Sequence, residues 1–173
     1  AGSGKLSHFL GNALSRLAGI EVTVTATDSG EYGIESPYPV ERLDHIAALH
    51  RYKPDLVLAS WMPDEVDWTQ DIRNTASVHE YVLVGEGMFG CCGDDWLTWG
   101  NKASAIFRLE EAIDSGAEGA DSDLASQLKT LQTTPIPSIR DGFTTHRLDG
   151  LTDLQTPVYG LHSETVAFRR QPK

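Results

Sequence analysis

The chain opens with Ala1-Gly-Ser-Gly-Lys-Leu-Ser7, a glycine-rich turn that leads directly into an amphipathic segment. Apolar side chains then recur at the spacing of one helical face: Leu6, Phe9, Leu10, Ala13, Leu14 and Leu17. Gly19 supplies the left-handed residue at which helices commonly end. Residues 20–28 alternate β-branched and small side chains and predict a strand that ends at Asp28. The opening therefore predicts a turn, a helix and a strand in that order.

The rest of the first half also alternates helices with strands. We predict strands at 40–43, 56–59 and 81–84, and helices at 44–52 and 67–80. The segments 56–59 and 81–84 are continuously apolar, which is typical of strands covered on both faces of a parallel sheet. This alternation predicts an α/β fold with a wound sheet.

The second half changes character after residue 84. Residues 85–101 form a loop rich in glycine, with Trp96 and Trp99 as flat apolar side chains. Helices are predicted at 103–115 and 124–131, and an antiparallel pair of strands at 143–148 and 165–169 closes the sheet. We expect one domain over residues 1–173, with a variable insertion at about 102–138.

Composition limits the class of protein. The chain has 173 residues, 40% of them apolar, and a formal net charge of −11. That charge disfavours nucleic acid as a partner, because binding to phosphates depends on Lys and Arg. Apolar runs are shorter than the ~18 residues that cross a bilayer, so we expect a soluble protein without membrane association. Cys91 and Cys92 are adjacent and lack further ligands at metal spacing, which favours reduced thiols, no metal site and a cytoplasmic location.

The glycine turn before a helix is typical of sites where a nucleoside or dinucleotide approaches bare backbone. A phosphate-binding P-loop is disfavoured, because it needs Ser or Thr directly after the lysine and Lys5 is followed by Leu6. Asp28, at the end of the next strand, suits the hydroxyls of a ribose, and a turn-forming or helix-capping Asp is the alternative. A Gly-Ser-Gly linker would give the same three residues at the turn.

The order of these segments resembles the class I S-adenosylmethionine-dependent methyltransferases. The resemblance is carried by Gly2-Ser-Gly4, Val24-Thr-Ala-Thr-Asp28, Pro54-Asp-Leu-Val-Leu-Ala-Ser-Trp-Met-Pro63, Tyr81-Val-Leu-Val-Gly-Glu86, Gly142-Phe-Thr-Thr-His-Arg-Leu148 and Ser163-Glu-Thr-Val-Ala-Phe-Arg-Arg170. It implies a Rossmann-like, mostly parallel sheet with helices on both faces and a C-terminal antiparallel hairpin.

The resemblance also implies where S-adenosylmethionine would bind. Gly2 and Gly4 would approach its methionine part, and Asp28 would hold its ribose hydroxyls. Asp44 would lie near the adenine amino group, although an Asp there can equally cap the following helix. Ser60 and Trp61 would lie at the end of the fourth strand, where ligands bind in wound sheets; packing in the core is the alternative for Trp61.

The implied activity is methyl transfer to a small molecule or a protein. Glu86 and His162 are the candidate bases for an acceptor that carries a proton, whereas His146 lies within a predicted strand and suits a structural role. Two other functions stay open. One is a catalytically inactive methyltransferase-like binding or scaffold domain, and the other is an NAD(P)-dependent oxidoreductase with a similar turn.

Three features depart from the family pattern. The first strand, which should precede the glycine turn, is absent, so we expect that the chain lacks its N-terminal part. The stretch from Asp28 to Val40 is too short for the usual second helix. The fourth strand ends in Ser60-Trp-Met-Pro63 rather than Asn- or Asp-Pro-Pro-Tyr, which argues against methylation of the amino group of a base or a glutamine.

Overall fold

The computed structural model describes residues 2–17, 19, 22–87, 90–115, 121–152 and 163–172. The chain forms two compact units, Ala1–Pro54 and Asp55–Lys173. We call them the N-terminal and the C-terminal unit. The single domain expected over residues 1–173 stays a prediction.

The N-terminal unit contains two helices and a small parallel sheet among its described residues. Its elements are α1 (Lys5–Leu17), β1 (Thr27–Asp28), β2 (Glu41–Arg42) and α2 (His45–Tyr52). β1 and β2 pair in parallel, with Thr27 opposite Glu41 and Asp28 opposite Arg42. The predicted first helix, the helix before Lys53 and the short strand near Val40 all form.

The predicted strand at 20–28 is wrong over most of its described length, because only Thr27 and Asp28 are in a strand. The register explains the short pairing. Thr27 lies opposite Glu41, so residues further back along β1 would face Pro39 and Pro37. Proline has no N–H to donate to a ladder, so the pairing cannot extend toward residue 22.

The C-terminal unit contains a four-stranded sheet and five helices among its described residues. Its elements are β3 (Leu56–Ser60), α3 (Thr69–Asn74), β4 (Glu80–Gly85), α4 (Lys102–Asp114), α5 (Asp121–Thr133), α6 (Pro137–Arg140), β5 (Phe143–Arg147), α7 (Asp149–Thr152) and β6 (Glu164–Arg170). The order of strands in the sheet is β3-β4-β6-β5. β3 and β4 are parallel, whereas β6 is antiparallel to both β4 and β5.

The structure therefore confirms a mixed α/β fold. It also confirms the antiparallel pairing of the two last strands, with Thr145 opposite Phe168. The chain between β5 and β6 includes α7 and residues 153–162, which lie outside the described residues. The C-terminal hairpin stays a prediction.

The predicted helix at 67–80 is wrong at both ends, since α3 covers only Thr69–Asn74 and Glu80 already belongs to β4. Asp67 Oδ1 accepts the backbone N–H of Thr69 at 2.9 Å, so Asp67 precedes the helix. Thr75 has extended backbone, with ψ at 113°, and its hydroxyl donates to the carbonyl of Asp71 at 2.8 Å. These bonds to neighbouring backbone compete with further helical turns.

Three aromatic rings form the centre of the C-terminal unit. Tyr81 of β4 stacks on Phe168 of β6 with ring centroids 4.5 Å apart, and Phe143 of β5 meets Tyr81 edge to face at 5.3 Å. All three side chains are fully buried. Burial raises the pKa of Tyr81 to about 12 and keeps its hydroxyl neutral. These rings join three neighbouring strands through one apolar layer.

A buried arginine ties α3 to the turn before β5. Arg73 Nε lies 2.8 Å from Asp141 Oδ2, and only 1% of the arginine side chain is exposed. Arg140 bonds the same carboxylate from the surface at 2.8 Å, with 51% of its side chain exposed. The hydrogen bonds from Arg140 and Arg73 lower the pKa of Asp141.

We expect Arg73→Ala to lower the free energy of unfolding by about 3–5 kcal/mol, because it leaves Asp141 without its buried partner. Arg140→Ala removes the exposed partner of the same carboxylate and should cost less than about 1 kcal/mol. Urea unfolding followed by tryptophan fluorescence measures both. Equal losses in the two variants would contradict the assignment of Arg73 as the structural partner.

Within the part of the chain that the structure describes, we find no helix with the length and apolarity needed to span a bilayer.

Candidate functional site

The glycine turn and Asp28 meet in the N-terminal unit. The backbone N–H of Gly2 donates to Asp28 Oδ2 at 2.9 Å across 26 residues of sequence. Gly2 and Gly4 both have left-handed backbone, with φ at 53° and 70°. The structure thus brings together three of the residues that the sequence assigns to one site.

Asp28 also organises the chain that follows β1. Its Oδ1 accepts the backbone N–H of Gly30 at 2.8 Å. Partial burial acts to raise the pKa of Asp28, but hydrogen bonds to the charged form, among them those from Gly2 and Gly30, outweigh it and lower the pKa to about 2. The carboxylate is therefore ionised at neutral pH and accepts hydrogen bonds only.

Gly4 is a glycine for a reason of packing. A Cβ at this position would lie 2.6 Å from Val40 Cγ2 and 3.2 Å from Ser36 Oγ. Gly2 is more open, because the nearest atom to its own Cβ position is Ile34 Cδ1 at 3.9 Å. The bare backbone available to a ligand is therefore at Gly2 rather than at Gly4.

The segment after Asp28 lies against the glycine turn. Ser36 Oγ donates to the carbonyl of Ser3 at 2.8 Å and lies 2.6 Å from the carbonyl of Tyr38. Gly30 and Gly33 have left-handed φ values of 74° and 61°, and the N–H of Gly33 bonds the carbonyl of Gly30 at 3.2 Å. The residues from 31 to 37 are all exposed.

Asp44 caps α2. Its Oδ1 accepts the backbone N–H of Ala47 at 2.7 Å, and its own backbone is extended, with ψ at 171°. This is the geometry of an N-cap residue, which satisfies one of the free amides at the start of a helix. Of the two roles that the sequence allows for Asp44, the structure displays the cap.

Ser60 and Trp61 lie at the carboxyl end of β3 in the C-terminal unit. The backbone N–H of Trp61 donates to the carbonyl of Val84 at 2.8 Å, which continues the pairing with β4. Trp61 has left-handed backbone, with φ at 55°, and 55% of the residue is exposed. The sequence leaves packing in the core open as an alternative for Trp61. The structure does not support that alternative, because the residue is largely exposed.

Glu86 follows β4 at the same edge of the sheet. Its Oε2 accepts the thiol proton of Cys91 at 3.4 Å. That hydrogen bond, with some burial, raises the pKa of the Cys91 thiol to about 11, so it is not a ready nucleophile. His162, the second candidate base, lies outside the described residues. His146 lies in β5, where its Nε2 and Thr144 Oγ1 are 3.1 Å apart.

The loop after Glu86 is folded onto the sheet. The indole of Trp99 covers Gly87, where a Cβ would lie 2.5 Å from the ring, and Trp99 Nε1 donates to the carbonyl of Cys92. Trp96 lies beside the ammonium of Lys102, with Nζ 5.2 Å from the ring centroid. The packing and the hydrogen bond of Trp99 thus fix the conformation of the loop.

Two residues that the sequence analysis missed hold this loop in place. Thr98 is buried, and its hydroxyl donates to Asp67 Oδ1 at 3.1 Å. Asp94 Oδ1 accepts the backbone N–H of Trp96 at 2.8 Å. An Asp that begins a short turn before an apolar residue is a recognisable capping signal, whereas the partner of Thr98 lies far along the chain.

In the described ranges, His, Cys, Asp and Glu side chains form no group of three or more that could hold a metal ion. The chain matches no protein-family model, no curated protein and no solved structure.

The contact at Gly4 predicts that Gly4→Ala destabilises the N-terminal unit by about 2–4 kcal/mol, from left-handed strain plus overlap with Val40. Gly33→Ala is the matched control, because Gly33 also has left-handed φ, at 61°, but its Cβ would meet nothing within 4 Å. It should cost only the strain of about 1–2 kcal/mol. Thermal unfolding followed by circular dichroism measures both, and an equal effect would remove the packing explanation.

The lowered pKa of Asp28 predicts an acid-dependent contribution to stability. The fold lowers the pKa of this carboxyl from its ordinary value of 3.8 to about 2, so the contribution is complete above about pH 4 and is lost as the pH falls through about 2. Asp28→Asn should flatten this part of the dependence. Urea unfolding at several acidic pH values tests it against Asp55→Asn, whose side chain is 94% exposed. The same acid dependence in both variants would contradict the prediction.

Proposed function

We propose that this chain is the cofactor-binding part of an S-adenosylmethionine-dependent methyltransferase that acts on a small molecule or a protein. The observation that carries the proposal is the 2.9 Å hydrogen bond between Gly2 N and Asp28 Oδ2. A turn of bare backbone beside an ionised carboxylate is what a nucleoside with a ribose diol requires.

The strand pairings support the same proposal. The segments that the sequence assigns to the fourth and fifth strands, now β3 and β4, are parallel neighbours over the length of β3. The last two strands extend the same sheet in antiparallel fashion. A Rossmann-like sheet with helices on both faces is part of the proposal.

The residues of the N-terminal unit fit the proposed cofactor. Gly2 is less crowded than Gly4, since its Cβ would meet only Ile34 Cδ1, at the ordinary van der Waals distance of 3.9 Å. Carboxylate oxygens accept hydroxyl protons, so Asp28 would hold the ribose by exchanging a backbone N–H donor for a ribose hydroxyl. Asp44 would contribute by fixing the start of α2 near the adenine.

S-adenosylmethionine, when bound, supplies a methyl group on a sulfonium that an acceptor can attack directly. The protein then has to hold the acceptor in line, and a base is needed only for an acceptor that carries a proton. Glu86 would accept that proton, since its carboxylate lies at the carboxyl end of β4. His162 is the second candidate for this role.

The formal net charge of −11 favours a neutral or cationic acceptor over nucleic acid. Cys91 and Cys92 are free thiols, which suits the reducing cytoplasm that we propose as the location. The acceptor would bind without a membrane or a metal.

A specific observation favours a second candidate, a catalytically inactive binding or scaffold domain of the same fold. Both oxygens of Asp28 already accept backbone N–H groups, and Asp44 is used as a helix cap. The fold needs these bonds whether or not a ligand binds. A domain that has lost its cofactor could retain all of them.

Isothermal titration with S-adenosylmethionine and S-adenosylhomocysteine tests the proposal. We expect the chain to bind both, and Asp28→Ala to weaken binding by about 1–3 kcal/mol through the loss of the ribose partner. Asp55→Ala removes a carboxylate with a 94% exposed side chain and should leave the affinity unchanged.

A folded protein that binds neither ligand would support the inactive domain instead. Unchanged affinity in Asp28→Ala would remove this residue from the site. A change in the fluorescence of reduced nicotinamide cofactor on addition of the protein would support an oxidoreductase, because a methyltransferase has no site for that ring.

A further inference from the structure

We propose that residues 31–37 form an autoinhibitory strap over the cofactor site, and that S-adenosylmethionine must displace this strap to bind. The inference rests on the proposed function. It concerns the N-terminal unit alone, where the glycine turn and Asp28 lie.

The strap occupies the positions that the ligand needs. Ile34 Cδ1 lies 3.9 Å from the Cβ position of Gly2, in van der Waals contact with the side of the glycine turn that a ligand would approach. Ser36 Oγ donates to the carbonyl oxygen of Ser3 at 2.8 Å. The methionine part of the cofactor carries an ammonium group, a donor that would compete for that same oxygen.

Asp28 is covered in a similar way just before the strap begins. Gly30 N lies 2.8 Å from Asp28 Oδ1. A ribose hydroxyl is also a donor to a carboxylate oxygen. Binding can therefore proceed as an exchange of one donor for another, in which Gly30 and Ser36 turn to water and the ligand takes their acceptors.

The strap is built to move at small cost. All of its residues are exposed, including Tyr32 and Ile34, which are 67% and 55% exposed. Gly30 and Gly33 have left-handed φ values of 74° and 61°, so the backbone can rearrange there without side-chain strain. Ser36 Oγ accepts the backbone N–H of Tyr38 at 3.2 Å and has one proton to share between the carbonyls of Ser3 and Tyr38. The shared proton limits the strength of the bond to Ser3.

If the strap competes with the ligand, weakening its attachment increases the fraction of chains able to bind. Ser36→Ala removes the hydroxyl donor and should tighten S-adenosylhomocysteine binding about 2- to 10-fold, the equivalent of one hydrogen bond. Ile34→Ala removes the side chain over Gly2 and should act in the same direction. Because Ile34 is 55% exposed, this second variant is expected to fold normally.

Isothermal titration with S-adenosylhomocysteine compares both variants with the wild type and with Ser15→Ala. Ser15 donates to the carbonyl of Gly11 at 2.8 Å on exposed α1 and serves as the matched control for loss of a hydroxyl. Tighter binding in Ser36→Ala and Ile34→Ala, with Ser15→Ala unchanged, supports the strap. Binding seen only in those two variants would support it further.

Two results would overturn the inference, and they differ in what they say about the proposed function. Measurable binding with the same affinity in all four proteins removes the strap and leaves the cofactor site in place. No binding in any of the four folded proteins removes the cofactor site and the strap together.

Discussion

The carboxylate of Asp28 is where three parts of the N-terminal unit meet. The carboxylate accepts the backbone N–H of Gly2 at 2.9 Å and that of Gly30, beyond β1, at 2.8 Å. The backbone of Asp28 pairs with β2. Among its described residues the unit has few buried apolar side chains, Ala26 and Leu49 among them. In a unit with so small a core, a charged acceptor shared by two segments carries much of the constraint on their positions.

Much of the fold follows from the sequence where one strong signal dominates. The apolar segments around Leu58 and Leu83 predict two parallel strands, and these pair in register. The predictions fail where the outcome depends on a distant partner. Thr23 and Thr25 have strand-forming neighbours, but Pro37 and Pro39 opposite them have no N–H to donate, so the pairing of β1 with β2 does not extend to these residues. Thr75 ends α3, and its hydroxyl bonds the backbone carbonyl of Asp71. The periodicity of apolar residues does not predict such a bond.

The candidate site is predictable to a similar degree. The order of turn, helix and strand predicts that Gly2 lies near Asp28, and the structure contains this proximity. The bond from Gly30 N–H to Asp28 Oδ1 is a local turn, which is the alternative that the sequence leaves open for Asp28. The bond from Ser36 to the carbonyl of Ser3 depends on the path of the loop and cannot be predicted from that order. Position 4 is a glycine because a Cβ there would overlap Val40, which lies 36 residues further along the chain. The sequence around Gly4 does not predict this contact.

The glycine-rich loop of the C-terminal unit is held by contacts of Gly93 and Trp99, whereas Trp61 at the end of β3 is largely exposed. Gly93 bonds Pro63 and Glu65, at 3.0 and 3.1 Å, and Trp99 covers Gly87, so the loop is held from both ends. Trp61 contributes nothing comparable, since the residue is 55% exposed and its φ is 55°. A left-handed backbone at such a residue costs about 1–2 kcal/mol, and an exposed indole gives up burial as well. The left-handed backbone at Trp61 is therefore a cost of folding that the partial burial of its ring offsets only in part.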